Sequence, residues 1–334
     1  MIGSRALCAA ALALLASACD IQVMSGETTT LGGGGIVGGS TIQNEDGVDF
    51  GFTAARVFSG GTLIVDNATL LGGQAVLDSA AGNGQSGPGV LSSGTVILRE
   101  GTLRGGAGIL TGEVAVGQTP PTAIGPGLFA NLGRVEILGG KVIGGAAQPR
   151  PGFSTRSAQA SSAIVTSSTD LFIAGGIMKN GKPVNPVGVP ANRQPVVDTL
   201  GGTAEIVGGD FRGTVSFLDT DVSISGGLFP LTVLIQSDNR SGVCAEIRGG
   251  RFGSTTGSGG NLFVAGSDTT LVLVVQSVDF PLGNITELTG GSGFSLTGVF
   301  ENGQPFTRLG VSVLDSNTVI LAPAGSDGCA PAGP

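Results

Sequence analysis

Two stretches decide the fold: Ala204-Glu205-Ile206-Val207-Gly208-Gly209-Asp210-Phe211 and Ala245-Glu246-Ile247-Arg248-Gly249-Gly250-Arg251-Phe252. Each alternates apolar with polar residues, meets a doubled glycine, and resumes with an aromatic. Alternation at a period of two marks a strand with one buried face. Glycine, lacking a Cβ, carries the chain through corners with positive φ. Each stretch is therefore expected to form a short strand, a corner and a second short strand.

The unit recurs. Doubled glycines occur in 14 separate runs, and in 11 of them the residue two positions earlier is large and apolar. At 40% hydrophobic content, chance would place between five and six there. Seven copies align on Leu70, Leu103, Ile137, Ile173, Ile206, Ile224 and Ile247, spaced by 33, 34, 36, 33, 18 and 23 residues. A second apolar residue follows the glycines in the clearest copies, as at Val142, Met178, Phe211, Phe229 and Phe252. Such short strands cannot bury themselves. Stacking them in successive coils, ~4.8 Å apart, piles the aliphatics into interior columns. Spacings of 18 and 23 fit one coil; spacings of 33–36 fit one coil with a loop, or two coils of which one lacks the motif. The candidate loops are 81–89, 118–127, 147–162 and 180–194, all rich in Gly, Pro, Ser or Asn. Insertions of this kind tend to project from one face and carry function. Residues 294–321, with Phe300, Phe306, Val311, Val313, Val319 and Ile320, read as closing strands that cap the last coil.

The repeats Gly61-Thr62-Leu63-Ile64-Val65-Asp66-Asn67-Ala68-Thr69-Leu70-Leu71-Gly72-Gly73 and Gly94-Thr95-Val96-Ile97-Leu98-Arg99-Glu100-Gly101-Thr102-Leu103-Arg104-Gly105-Gly106 resemble those of right-handed parallel β-helices. They are similar to autotransporter passenger repeats and to the wider pectin-lyase-like superfamily. The resemblance covers about residues 59–322. It implies an all-β solenoid and says little about activity, because these folds host many functions. The chain departs from autotransporters in its Pro/Gly-rich C-terminus, which lacks alternating membrane strands. The competing architecture is a β-sandwich or propeller with glycine turns.

Composition narrows the chemistry. The 334 residues include 62 Gly and 15 Phe, with no His, Trp or Tyr. Without imidazole there is no His metal ligand, His general base or Ser-His triad. Without Trp or Tyr the usual sugar-stacking and interface anchors are missing. Mean hydropathy is +0.37 and charged residues are 12%, the opposite of a disordered chain. Interior Gly costs ~1 kcal/mol against Ala in a helix, which argues against a helical fold. The net charge of −8, with no basic cluster in the linear sequence, argues against nucleic acid as a partner.

The N-terminus reads as an export signal over residues 1–18. One positive charge, Arg5, precedes an apolar run too short to span a bilayer. It ends Leu15-Ala16-Ser17-Ala18-Cys19, which looks like a bacterial lipobox with Ala16 a weaker fit than Leu. That resemblance implies lipidation at Cys19 and membrane attachment through lipid in the envelope of a Gram-negative bacterium, periplasmic or at the outer surface. The alternative is ordinary cleavage after Ala18. Asp20 resembles an inner-membrane retention signal. Residues 19–58 are expected as tether and N-terminal cap, 59–322 as the β-helix, and 323–334 as a tail. In an oxidising compartment Cys244 and Cys329 are expected to form a disulfide tying down that tail; the alternative is two free thiols.

Few motifs carry chemistry. Gly33-x-Gly35-x-x-Gly38 matches a dinucleotide fingerprint formally, but no helical pattern follows. Asn44-Glu45-Asp46-Gly47-Val48-Asp49 resembles a motif of polygalacturonase-type glycosidases, yet the family's Gly-His-Gly element is absent. Asp219 and Asp221, with Asp210 a coil earlier and Arg212 nearby, are the candidates for a carboxylate cluster of lyase or hydrolase type. The bland reading has such aspartates capping backbone amides at turns. Phe211, Phe229 and Phe252 are expected, from their place in the repeat, to pack in the interior; the alternative is a ligand platform. The sequence points to no cofactor, no metal and no catalytic group. It is expected to be an exported lipoprotein whose β-helix is a structural or adhesive surface module, meeting a glycan or protein; the alternative is a carbohydrate-active β-helix enzyme.

Overall fold

The computed structural model describes residues 21–43, 49–77, 85–110, 124–149, 160–183, 194–240, 242–252, 262–266, 269–274, 279–280, 283–292, 295–300, 305–309, 311–313 and 318–322. Among them there are strands and turns and no helix. The strands assemble mainly into an 18-stranded long sheet and a 12-stranded second sheet, with a three-stranded third sheet beside them. The described pairings within the long sheet are parallel, including Thr62–Val65 with Thr95–Leu98 and Asp221–Ile224 with Val243–Ile247. Antiparallel sandwich and propeller pairing does not build this stack. The architecture is all-β with long parallel sheets, consistent with a β-solenoid.

Register shows how the repeats pile up. Ile206 pairs with Ile224, and Ile224 with Ile247, in one column that continues to Leu273. Upward, the same column runs through Ile173, Ile137, Leu98 and Val65. A parallel column of Leu63, Val96, Val135, Leu171, Ala204 and Val222 lies two positions earlier. A third column, in the second sheet, holds Val37, Leu70, Leu103, Val142 and Met178, followed by Phe211. Phe211, Phe229 and Phe252 continue it as a stack with ring centroids 4.6 and 4.9 Å apart. From Val65 to Ile247 in the first column, and throughout the second and third columns except the partly buried Val37, these side chains are buried in one continuous core. Each buried aliphatic contributes about 1.5–3 kcal/mol, so the columns dominate stability.

The expected alignment of copies changes in one respect. Leu70 and Leu103 do not share the column of Ile137; they belong with Val142 and Met178 in the second sheet. The reason is that doubled glycines serve two purposes. At Gly209, Gly227 and Gly250 the second glycine has φ of 112°, 108° and 104°, a left-handed corner between the sheets. Gly72-Gly73, Gly105-Gly106 and Gly144-Gly145 lie outside the left-handed region and mark close approaches of backbone to backbone.

Coil length has a similar explanation. Val197, Val215 and Val233 pair in succession, so 18 residues make a complete coil. Val90, Leu128, Ile164 and Val197 also pair in succession, so the longer spacings are single coils with an excursion. The excursions begin in the third sheet at Ala75–Leu77, Gly108–Leu110 and Ala147–Pro149. Their roots close in a glycine seam. Gly73 N–H donates to Phe52 O (2.7 Å), Gly87 N–H to Gly73 O (2.9 Å), and Gly106 N–H to Gly87 O (2.9 Å). Further along, Gly145 N–H donates to Gly125 O (3.0 Å), Ser161 N–H to Gly145 O (3.2 Å), and Gly181 N–H to Ser161 O (3.2 Å). Departing and returning segments thus alternate. One step is bridged by a side chain: buried Ser86 Oγ accepts from Gly125 N–H (2.9 Å) and donates to Gly106 O (2.9 Å).

Strands near both ends join the stack. Ile21–Val23 and Thr28–Leu31 already pair with Ala55–Val57 and Thr62–Val65, so the stack starts well before residue 59. The segment 19–58, expected as tether and N-terminal cap, supplies strands of the stack from Ile21 onward. Near the other end, Gly283–Ser292, Ser295–Phe300 and Pro305–Leu309 form an antiparallel meander. The chain then returns to the long sheet through Val311–Val313 and Thr318–Ala322.

Candidate functional site

The carboxylates singled out from sequence are placed by turns and adjacent coils. Asp219 opens the bend between Val215–Leu218 and Asp221–Ile224, with φ of 50°. Its carboxylate accepts the backbone N–H groups of Asp238 (2.8 Å), Asn239 (3.1 Å) and Arg240 (3.2 Å) from the next coil. Burial pushes the Asp219 pKa up. The three backbone donors and the Asn239 side chain pull it down and prevail, leaving the group below its ordinary value. Asp221 Oδ2 accepts from Arg240 Nη2 (2.6 Å), and Oδ1 accepts the Cys244 N–H (3.0 Å). Asp210 sits on the second sheet, paired with Arg212 at 2.7 Å. The structure therefore brings Asp219 and Asp221 together around one arginine and leaves Asp210 on another sheet. A carboxylate held below its ordinary pKa is a poor general acid at neutral pH. Asp219 reads as a cap on the loop 238–240.

Other expectations resolve similarly. Phe211, Phe229 and Phe252 are interior, at most 2% exposed. Gly33 and Gly34 turn with φ of 80° and 72° into the strand Ile36–Gly38, with no helix to receive a phosphate. Residues 44–48 and Cys19 lie outside the described residues. Cys244 is disulfide-bonded, and Cys329, its expected partner, also lies outside them. Among the described residues no group of three or more His, Cys, Asp or Glu is placed to hold a metal ion. The described parts of the candidate loops are 85–89, 124–127, 147–149, 160–162, 180–183 and 194.

Two openings lie at the roots of those loops. The larger, about 600 Å³, is lined by Arg104, Lys179, Lys182 and Arg212, with Ile143 and Leu231 among its apolar walls. Asn180 anchors its edge by donating from Nδ2 to the Gln194 carbonyl. The smaller, about 250 Å³, includes Phe129, Ser162, Val165 and Asp198. Burial lifts the Asp198 carboxyl above its ordinary range, against a hydrogen bond with Ser216 that lowers it. Ala160 lies on both openings.

Sequence reasoning missed the cationic cleft. A signal existed: Leu103-Arg104, Met178-Lys179 and Phe211-Arg212 each put a base directly after a third-column apolar residue. Only the register turns three separated pairs into one row. Compared with protein-family models, curated proteins and solved structures, the chain matches none.

Proposed function

We propose that the chain is an exported envelope lipoprotein, anchored through Cys19, whose body is a right-handed parallel β-helix acting as a structural or adhesive surface module. The observation that carries this reading is the uninterrupted register of its interior column from Val65 to Ile247. Stacked coils make a stiff prism, and its outer rows and loop roots present a regular surface to a glycan or protein. The pairing of Asp219 and Asp221 with backbone amides and Arg240 favours this over a carbohydrate-active enzyme.

Three measurements test it. Labelled palmitate should enter the wild-type protein and not Cys19→Ser; label persisting in the variant overturns the anchoring. Cells displaying the protein should adhere to glycan-coated or cell-coated surfaces better than cells lacking it, or should have a sturdier envelope under osmotic shock. Purified protein incubated with polysaccharides should release no reducing ends or unsaturated products. Turnover that disappears in Asp219→Asn or Asp221→Asn would instead establish the enzyme.

A further inference from the structure

We infer that the cleft of Arg104, Lys179, Lys182 and Arg212 binds a short acidic saccharide bearing at least two anionic groups. The inference deepens the adhesive reading by naming its ligand class, and rests on that reading only for its biological setting.

Four cations around one cavity run against the composition, since the whole chain has 16 basic residues and a net charge of −8. The row follows from register. Arg104 pairs with Ile143, and Ile143 with Lys179. Arg212 N–H then donates to Met178 O at 2.9 Å, which puts Arg212 in the next coil. Neighbouring strands lie ~4.8 Å apart, so Arg104 and Lys179 stand about 10 Å apart along the stack, with Arg212 about 5 Å further. Arg212 is already paired with Asp210. The side chains of Arg104, Lys179 and Lys182 have no ion-pair partner among the described residues.

A compact anion meets one end of this row. A ligand with anionic groups about 10–15 Å apart meets both, given the strand spacing. The cavity has the volume of a small-ligand site, and Ile143 and Leu231 offer apolar surface to a sugar ring. Single-stranded nucleic acid fits less well: it is gripped by stacking aromatics along a basic groove, and among the described residues no aromatic lines this cleft. Carboxylate, sulfate and phosphate esters share the required chemistry.

The test is calorimetric titration of the purified full-length chain with three saccharide probes: a heparin-derived tetrasaccharide, tetragalacturonate and a phosphorylated disaccharide. At least one should bind, and binding should weaken about tenfold between 25 and 200 mM salt, as charge-dominated contacts do. The arm that binds identifies the anionic group. Lys179→Ala with Lys182→Ala should weaken binding about tenfold, the share of one lost charge-assisted contact. Lys141→Ala, an exposed lysine outside the cleft, should leave it unchanged. Both lysines of the double variant are surface residues, and an unchanged melting temperature verifies its fold. The proposal is overturned if no saccharide binds at low salt, if the double variant binds as the wild type does, or if an octaglutamate peptide or a short single-stranded DNA binds as tightly as the best saccharide. Failure of palmitate labelling or of adhesion leaves these titrations unaffected, so the two readings fail separately.

Discussion

Replacing Gly106 by alanine tests the glycine seam directly. A Cβ there would lie 2.7 Å from the Gly73 carbonyl carbon and 2.9 Å from Gly72 O, and closer still to Gly73 O. All three are backbone atoms of a neighbouring coil, so no side chain can rotate away. Overpacking of this kind costs about 1–3 kcal/mol. Separating the strands also weakens the Gly106 N–H bond to Gly87 O and the Ser86 Oγ bond to Gly106 O, both 2.9 Å. Each contributes about 0.5–1.5 kcal/mol. Alanine recovers about 0.4–1 kcal/mol by restricting the unfolded chain. The net destabilisation is therefore about 1–6 kcal/mol. Gly35→Ala is the matched control, because its Cβ meets nothing within 4 Å and its φ is not left-handed; it should be neutral or slightly stabilising. Urea denaturation reads the difference. Because stacked coils open locally, amide exchange at Gly87 and Gly125 should accelerate in Gly106→Ala first. If Gly106→Ala unfolds within 0.5 kcal/mol (roughly the scatter of neutral surface changes) of Gly35→Ala, the seam is not close-packed and the reasoning fails.

Ser86→Ala should lose about 1–3 kcal/mol, because it strands the Gly125 N–H and a Gly106 lone pair in a buried place; a thermal melt matching wild type would refute the bridge. Phe229→Ala removes the middle ring of a three-ring stack and should cost about 3–5 kcal/mol in chemical denaturation. Asp219 has its folded pKa below the unfolded value of 3.8, so its stabilisation is complete at neutral pH and is lost as pH falls below 3.8 through the folded pKa. Amide protection factors of residues 238–240 should therefore fall on that acid limb in wild type, and in Asp219→Asn should be lower at neutral pH and flat below it. Asp198 has the opposite sign: with its folded pKa raised above 3.8, ionisation opposes folding as pH rises, and Asp198→Asn should raise the neutral-pH melting temperature.

Alternation and glycine spacing determine a great deal here without any coordinates. The buried face of Ala204–Ile206, the identity of Ile206, Ile224 and Ile247 as one column, and the interior place of Phe211, Phe229 and Phe252 all follow from period-two patterning. Tertiary structure decided what the doubled glycines mean. Gly208-Gly209 and Gly105-Gly106 look alike in sequence because glycine is chosen for two unrelated reasons, a left-handed φ and a missing Cβ. Another coil closely approaches both pairs; only Gly209 is left-handed, marking a corner after a long-sheet strand, whereas Gly105-Gly106 follow a second-sheet strand, and that is why Leu70 and Leu103 moved to the second sheet's column. The same holds for charge. Arg104, Lys179, Lys182 and Arg212 are isolated bases in the linear chain and become one cleft because stacking places residues a coil apart side by side, whatever number of residues the loops insert between them.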